Sequence, residues 1–216
     1  NFGSYFRTSV QLYNSHDVPL SGKLVFHTAG VAGNASDPSL NYTLSPGKTL
    51  AYDDLLPAMG LPSGLGSVDL VADASSDLPI ALARVFNDGG AAGTTGFTQQ
   101  AFAPEAALRP GVTGVLLAPS DVARFRFNVG VRALDQGANI TITVRNKDGE
   151  IVKTASKNYE RTFFSQVSSA AILDGYVLTG GETITFDVTS GSAFIYGSTT
   201  DNTTNDPSTQ FATPLE

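Results

Sequence analysis

The sequence predicts an all-β protein made of two tandem, duplicated Ig-like β-sandwich domains with one short helix each. Three observations support this prediction. Short segments in which apolar and polar residues alternate recur about every ten residues, separated by Gly, Pro, Asn and Asp. The order of segments in the first half of the chain returns in the second half. The 216 residues also suffice for two domains of about 100 residues each.

The first half begins with three predicted strands. Residues 4–13 alternate strictly, with Phe6 and Val10 on the face expected to be buried. Turn residues separate this segment from a second strand at 22–27 and a third at 40–44. The pattern is typical of half-buried strands in an antiparallel sheet.

A short helix and two further strands complete the first half. Two acidic residues begin the segment 53–60 and Gly60 ends it, which predicts one or two helical turns. Strands are predicted at 67–72 and 79–87. The last strand passes into a loop rich in Gly, Thr and Asn/Asp, so that residues 83–100 form a closing strand and its exit loop.

The second half repeats this order. Phe125 and Val129 stand in the same relation to each other as Phe6 and Val10, and each Phe is followed by Arg. Predicted strands at 138–144 and 183–188, a helix at 168–175 and a second Asn/Asp/Thr loop within 196–210 follow, with Asp201 matching Asp88. An apolar strand at 114–118 is expected to seal or bridge the units. The predicted domains are residues 1–103 and 113–216, joined by a linker at 104–112.

Composition narrows the functional classes. Charged residues make up 15 % of the chain, the net charge is −7 and the basic residues are scattered, so the basic surface that nucleic-acid binding needs is missing. No apolar run approaches the roughly 20 residues of a membrane span, which predicts no membrane insertion. The absence of Cys excludes disulfides and thiolate metal sites. A bacterial protein that is secreted or held in the cell envelope fits this composition.

The two Asn/Asp loops carry the candidate binding residues. The predicted ligand-binding residues are Asn87, Asp88, Thr200, Asp201 and Asn202. Hard oxygen ligands suit calcium, so Asp88, Asp201, Asn205 and Asp206 are the candidate calcium ligands, although the second loop does not fit an EF-hand. The alternative is that these side chains cap turns through their own backbone. No other cofactor is predicted.

No catalytic residue is assigned. The only histidines are His16 and His27, and the chain has no Gly-x-Ser-x-Gly nucleophile motif. The paired acids at the predicted helix start are explained by helix capping and the helix dipole rather than by glycoside hydrolysis.

Several motifs resemble a group of exported bacterial proteins with repeated Ig-like domains. They are residues 6–10, the Pro46 and Gly47 turn, and residues 64–70, 84–90 and 196–202. The resemblance implies a location and an architecture, and no reaction.

Three functional hypotheses follow. The first is a non-enzymatic extracellular or cell-envelope module that binds or spaces, with a surface protein or a glycan as partner. The second is a secreted hydrolase with a site between the two domains around His16, His27 or Asp53. The third is a calcium-stabilised structural subunit of a surface assembly.

Overall fold

The computed structural model describes residues 3–215, which form two compact units. The first unit contains Gly3–Ala29 and Asn34–Phe102; the second contains Gly30–Gly33 and the chain from Ala103 onward. Strands account for 56 % of the residues and helices for 7 %. The all-β fold class is therefore confirmed, whereas the Ig-like duplication stays a prediction.

The first unit consists of two antiparallel sheets. Their strand orders are β4-β1-β6-β7 and β3-β2-β5. The elements are β1 (Phe6–Tyr13), β2 (Leu20–Thr28), β3 (Ser39–Leu44), β4 (Thr49–Tyr52), α1 (Leu55–Ala58), β5 (Gly66–Ala72), β6 (Ile80–Asp88) and β7 (Thr94–Gln100). The core lies between the sheets, because alternate residues such as Val10 and Leu12 of β1 and Leu24 of β2 are buried. The single turn of α1 adds Leu55 to this core.

The second unit is one larger antiparallel arrangement. Its path is β10-β9-β12-β8-β14, with β11 paired to β9 and β13 paired to β12. The elements are β8 (Thr113–Leu117), β9 (Phe125–Arg145), β10 (Ile151–Tyr159), β11 (Phe164–Ser168), α2 (Ser169–Ile172), β12 (Thr183–Asp201), β13 (Pro207–Phe211) and β14 (Thr213–Pro214). The predicted apolar strand at 114–118 is thus β8, which pairs with β12 and extends the sheet.

Two long strands contain the segments at 138–144 and 183–188 that the sequence predicts as short separate strands. β9 covers 21 residues and β12 covers 19 residues. Gly137 and Gly191, with φ of 71° and 70°, lie inside these strands, and the pairing register shifts beside Gly191. A Cβ at Gly191 would lie 1.9 Å from the carbonyl oxygen of Gly137. The glycines therefore permit local irregularity without ending the strands.

The two units share the same order of strand pairing. In the first, β1 pairs with β4 and β6 while β2 pairs with β3 and β5. In the second, the first half of β9 pairs with β11 and with the second half of β12. The second half of β9 pairs with β10 and with the first half of β12. Phe6 lies opposite Asn87, and Phe125 lies opposite Asp201. The register therefore matches Asp201 with Asn87, which corrects the sequence-based match with Asp88.

Both exit loops are shorter than the sequence indicates. β6 continues to Asp88 and β7 begins at Thr94, so that only residues 89–93 lie between the strands. β12 likewise continues to Asp201 and β13 begins at Pro207. Pairing with a neighbouring strand supplies backbone hydrogen bonds that outweigh the turn-forming tendency of Gly, Asn and Thr. The helices are also shorter than the predicted spans 53–60 and 168–175.

The predicted linker at 104–112 has structure of its own. It begins with a 3-10 turn over Pro104–Ala106. Leu108 is 4 % exposed and belongs to the core of the second unit. The backbone N–H of Leu108 also donates to the carbonyl oxygen of Ala193 at 3.0 Å, and the N–H of Ala193 donates back to that of Leu108.

Candidate functional site

In the first unit, the loop side chains Asn87 and Asp88 are held by hydrogen bonds. The buried Asn87 accepts a bond on Oδ1 from the N–H of Tyr5 at 2.7 Å. Asp88 accepts on Oδ2 from Nη1 of Arg7 at 2.9 Å and on Oδ1 from the N–H of Gly90 at 3.0 Å. The Arg7 bond and then the Gly90 bond hold the pKa of Asp88 below its usual value.

Arg7 joins three parts of the first unit. Its Nε donates to Oδ2 of Asp54 at 2.8 Å, while its Nη1 contacts Asp88. Its guanidinium also lies 6.0 Å from the centre of the Phe86 ring. Asp54 stands at the N-cap of α1 but makes no side-chain cap hydrogen bond. The acidic helix start predicted from capping therefore contributes an ion pair to β1 instead.

In the second unit, Asp201 organises the turn that follows β12. Its Oδ1 accepts from the N–H groups of Thr203 at 2.7 Å and Thr204 at 3.0 Å. Its Oδ2 accepts from Nε of Arg124 at 3.0 Å. These backbone donors, followed by Arg124, lower the pKa of Asp201. The carboxylate thus closes an Asx-type turn and ties it to the chain just before β9.

Arg126 holds the other side of this turn. Its Nη2 donates to Oδ1 of Asn205 at 2.9 Å and its Nη1 to Oδ1 of Asn202 at 3.3 Å. Asn205 has a φ of 57°, a conformation that Asn tolerates better than most residues. The buried Thr200 lies directly opposite Arg126 in the strand pairing. All five predicted ligand-binding residues therefore lie at strand ends, two in the first unit and three in the second.

Three of the four predicted calcium ligands are held by arginines. Asp88 belongs to the first unit, whereas Asp201, Asn205 and Asp206 belong to the second. Side-chain oxygens of Asp88, Asp201 and Asn205 accept bonds from arginines. Within residues 3–215, no group of three or more His, Cys, Asp or Glu side chains is arranged to hold a metal ion. Asp201 accepts bonds from backbone N–H groups of its own turn, as the turn-capping alternative predicts.

A depression of about 380 Å³ lies beside the second loop. Arg124 and Phe125 line it together with Asp201, Thr204, Asp206 and other residues of the turn. The Arg124 guanidinium lies 5.0 Å from the centre of the Phe125 ring. The sequence assigns no binding role to either residue. The signal that could have pointed to them is the repeated Phe and Arg pair, which contains Phe125 and directly follows Arg124.

The histidines lie in separate surroundings. His16 Nδ1 is 3.5 Å from Asp77, and the buried His27 contacts Asp37 through Nδ1 at 2.5 Å and Asp69 through Nε2 at 3.1 Å. Asp53 is exposed. Each histidine therefore has its own carboxylate partners, and those of His27 are brought close only by the fold.

The comparisons with known proteins found no match. No protein-family model, no curated protein and no solved structure matches the chain significantly. Across the described residues, none of the helices has the length and apolar character needed to cross a membrane.

Proposed function

We propose that the chain is a non-enzymatic pair of β-sandwich modules in the bacterial cell envelope or outside the cell. The pair binds a surface protein or a glycan, or acts as a spacer. The observation that carries this proposal is the loop at the end of β12. Asp201 accepts bonds from the backbone of this loop, Arg124 and Arg126 bind its side chains, and the depression beside it remains open. Loops held by a rigid sheet are the usual location of binding residues in β-sandwiches.

The chemistry of this depression suits a glycan. Arg124 has a side chain that is 64 % exposed and offers hydrogen-bond donors. Asp206 and the hydroxyl groups of Thr204 and Ser208 line the same depression and offer acceptors. The Phe125 ring adds an apolar surface. Donors and acceptors beside an aromatic ring match a sugar, which presents hydroxyl groups at its edge and C–H groups on its face.

A glycan array probed with the full chain tests this proposal. We expect a defined set of neutral or basic glycans to bind, and Arg124→Ala to abolish the binding. Arg145→Ala is the control, because Arg145 is another exposed arginine, and it donates to the carbonyl oxygen of Gly149 away from this loop. An unchanged glycan profile in Arg124→Ala would place binding elsewhere. Turnover in a panel of glycans, esters and peptides would favour the secreted-hydrolase alternative.

A further inference from the structure

Among the described residues, the edge strand β5 of the first unit lacks a neighbour that its counterpart has. β5 ends the sheet β3-β2-β5, and β2 is the strand it pairs with in the described chain. The corresponding segment of β12, which pairs with the second half of β9, also pairs on its other side with β8. An unpaired edge presents backbone N–H and C=O groups that can bind another strand.

The core-facing side chains of β5 are also less buried than those of its counterpart in β12. Val68 and Leu70 lie opposite Phe26 and Leu24, whose exposures are 5 % and 2 %, so they face the core. Nevertheless Val68 is 39 % exposed. The matching residues of β12, which lie opposite Val144 and Ile142, are Ile184 and Phe186, both 0 % exposed.

β8 supplies the missing cover in the second unit. Leu116 of β8 lies opposite Ile184 and is 0 % exposed, while Gly114 lies opposite Phe186. A five-residue strand thus pairs with the sheet edge and inserts one leucine into the core. By pairing order, the same strand on the first unit would place its leucine opposite Val68.

The charge beside this edge indicates the character of the partner. Asp69 lies between Val68 and Leu70 on the opposite face of β5, and its side chain is 40 % exposed. Asp69 shares the His27 ring with Asp37, so two acidic side chains stand beside one imidazole at this edge. The chain itself has a net charge of −7, which disfavours a second copy as the occupant.

We propose that β5 is a strand-acceptor site that binds an extended basic segment of a partner protein. The segment runs antiparallel to β5, as β8 does to β12. It places an aliphatic side chain opposite Val68, a small aliphatic side chain opposite Leu70, and Lys or Arg opposite Asp69. Backbone hydrogen bonds along the edge provide affinity, and the apolar and basic side chains provide specificity. This site is distinct from the loop proposed to bind glycans.

A synthetic peptide tests the proposal with the full chain. The probe is residues 111–119 carrying Gly114→Val and Val115→Lys, and the control peptide carries Val115→Glu in place of Val115→Lys. We expect saturable binding of the first peptide by fluorescence anisotropy, and binding at least about tenfold weaker for the second. Amide hydrogen exchange should slow in Gly66–Ala72 and remain unchanged in β12.

Two variants of the chain test whether peptide binding depends on the core-facing side chain of β5 or responds to any substitution in this strand. Val68 and Val71 are both 39 % exposed. Because they are three positions apart and side chains alternate along a strand, they point to opposite faces. We expect Val68→Thr to weaken peptide binding about tenfold, because a hydroxyl would be buried under the added strand, and Val71→Thr to leave it unchanged. Absence of binding, protection of another edge, equal effects of the two variants, or occupation of β5 by a second copy would each overturn the proposal.

Discussion

The first and second units pair their strands in the same order but close their cores differently. In the described part of the chain, twenty apolar residues are buried in the core of the second unit and seven in that of the first. The second unit adds β8 and β14 and runs its sheets together through β9 and β12. Pairing order therefore does not determine burial. The strand that covers the edge of the sheet has a large share in completing the core.

The loops differ in a similar way. Both units tie a loop aspartate to an arginine beside the repeated Phe, but the arginines are not in matching positions. Arg7 follows Phe6 and binds Asp88, whereas Arg124 precedes Phe125 and binds Asp201. The same attachment is thus achieved from either side of the Phe residue, and the loop of the second unit has the additional support of Arg126.

The largest expected effect is on the two cores. We expect Phe186→Ala to lower the free energy of unfolding of the second unit by about 3–5 kcal/mol, because it empties a fully enclosed site. Leu70→Ala, at the matching position, should cost the first unit only about 1–2 kcal/mol because that site is partly open. Denaturant titrations followed by hydrogen exchange in each unit measure both values.

Leu117→Ala is the control for these substitutions. Leu117 is 59 % exposed, so its loss should change the unfolding free energy by less than about 0.5 kcal/mol. Equal losses from Phe186→Ala and Leu70→Ala would contradict the difference in closure between the units.

A smaller effect is expected on the response to acid. The folded-state pKa of Asp201 is lowered, so its contribution to stability is present above the unfolded pKa of about 3.9 and is lost as pH falls through the folded pKa. Unfolding free energy should therefore decrease below about pH 4. Asp201→Asn should flatten this decrease in the second unit.

Asp88→Asn provides the comparison in the first unit. Asp88 has one backbone donor where Asp201 has two, so the flattening should be weaker. Urea titrations between pH 6 and pH 2, with exchange resolved by unit, measure the slopes. Background acid sensitivity remains, because an ion pair with Lys157 also lowers the pKa of Asp174. A steeper slope after Asp201→Asn would contradict the assigned direction.

The smallest expected effect is that of calcium. Because arginines and backbone N–H groups already occupy the carboxylates of Asp88 and Asp201, we expect the same melting temperature with millimolar calcium and with chelator. An ion present at 100 times its Kd would instead stabilise the folded state by about 2.7 kcal/mol and raise the melting temperature by several degrees. Such a rise, lost in Asp201→Asn, would support the calcium-stabilised subunit in place of the binding module.

The sequence predicts the strands well where alternation is strict, and poorly where glycine or polar residues interrupt it. β1 and β2 follow from alternating apolar residues, whereas β7 consists of Thr, Gly and Gln around one Phe and is interpreted as loop. The predicted ligand-binding residues lie where β6 and β12 end, and their binding role stays a prediction. The contacts of Arg124 and Arg126 with the loop after β12 could not be predicted from the sequence, because their partners lie 76 to 79 residues away along the chain.

By itself, the sequence determined the all-β class and the two halves with similar order, because these follow from local alternation and turn chemistry that neighbouring residues specify. It also placed Asp88 and Asp201 at strand ends. Only the tertiary structure decided which arginine holds each loop, that β9 and β12 are continuous, and that β5 is an open edge among residues 3–215 while β8 covers its counterpart. Those features depend on strand pairing between distant segments, which local sequence patterns do not encode.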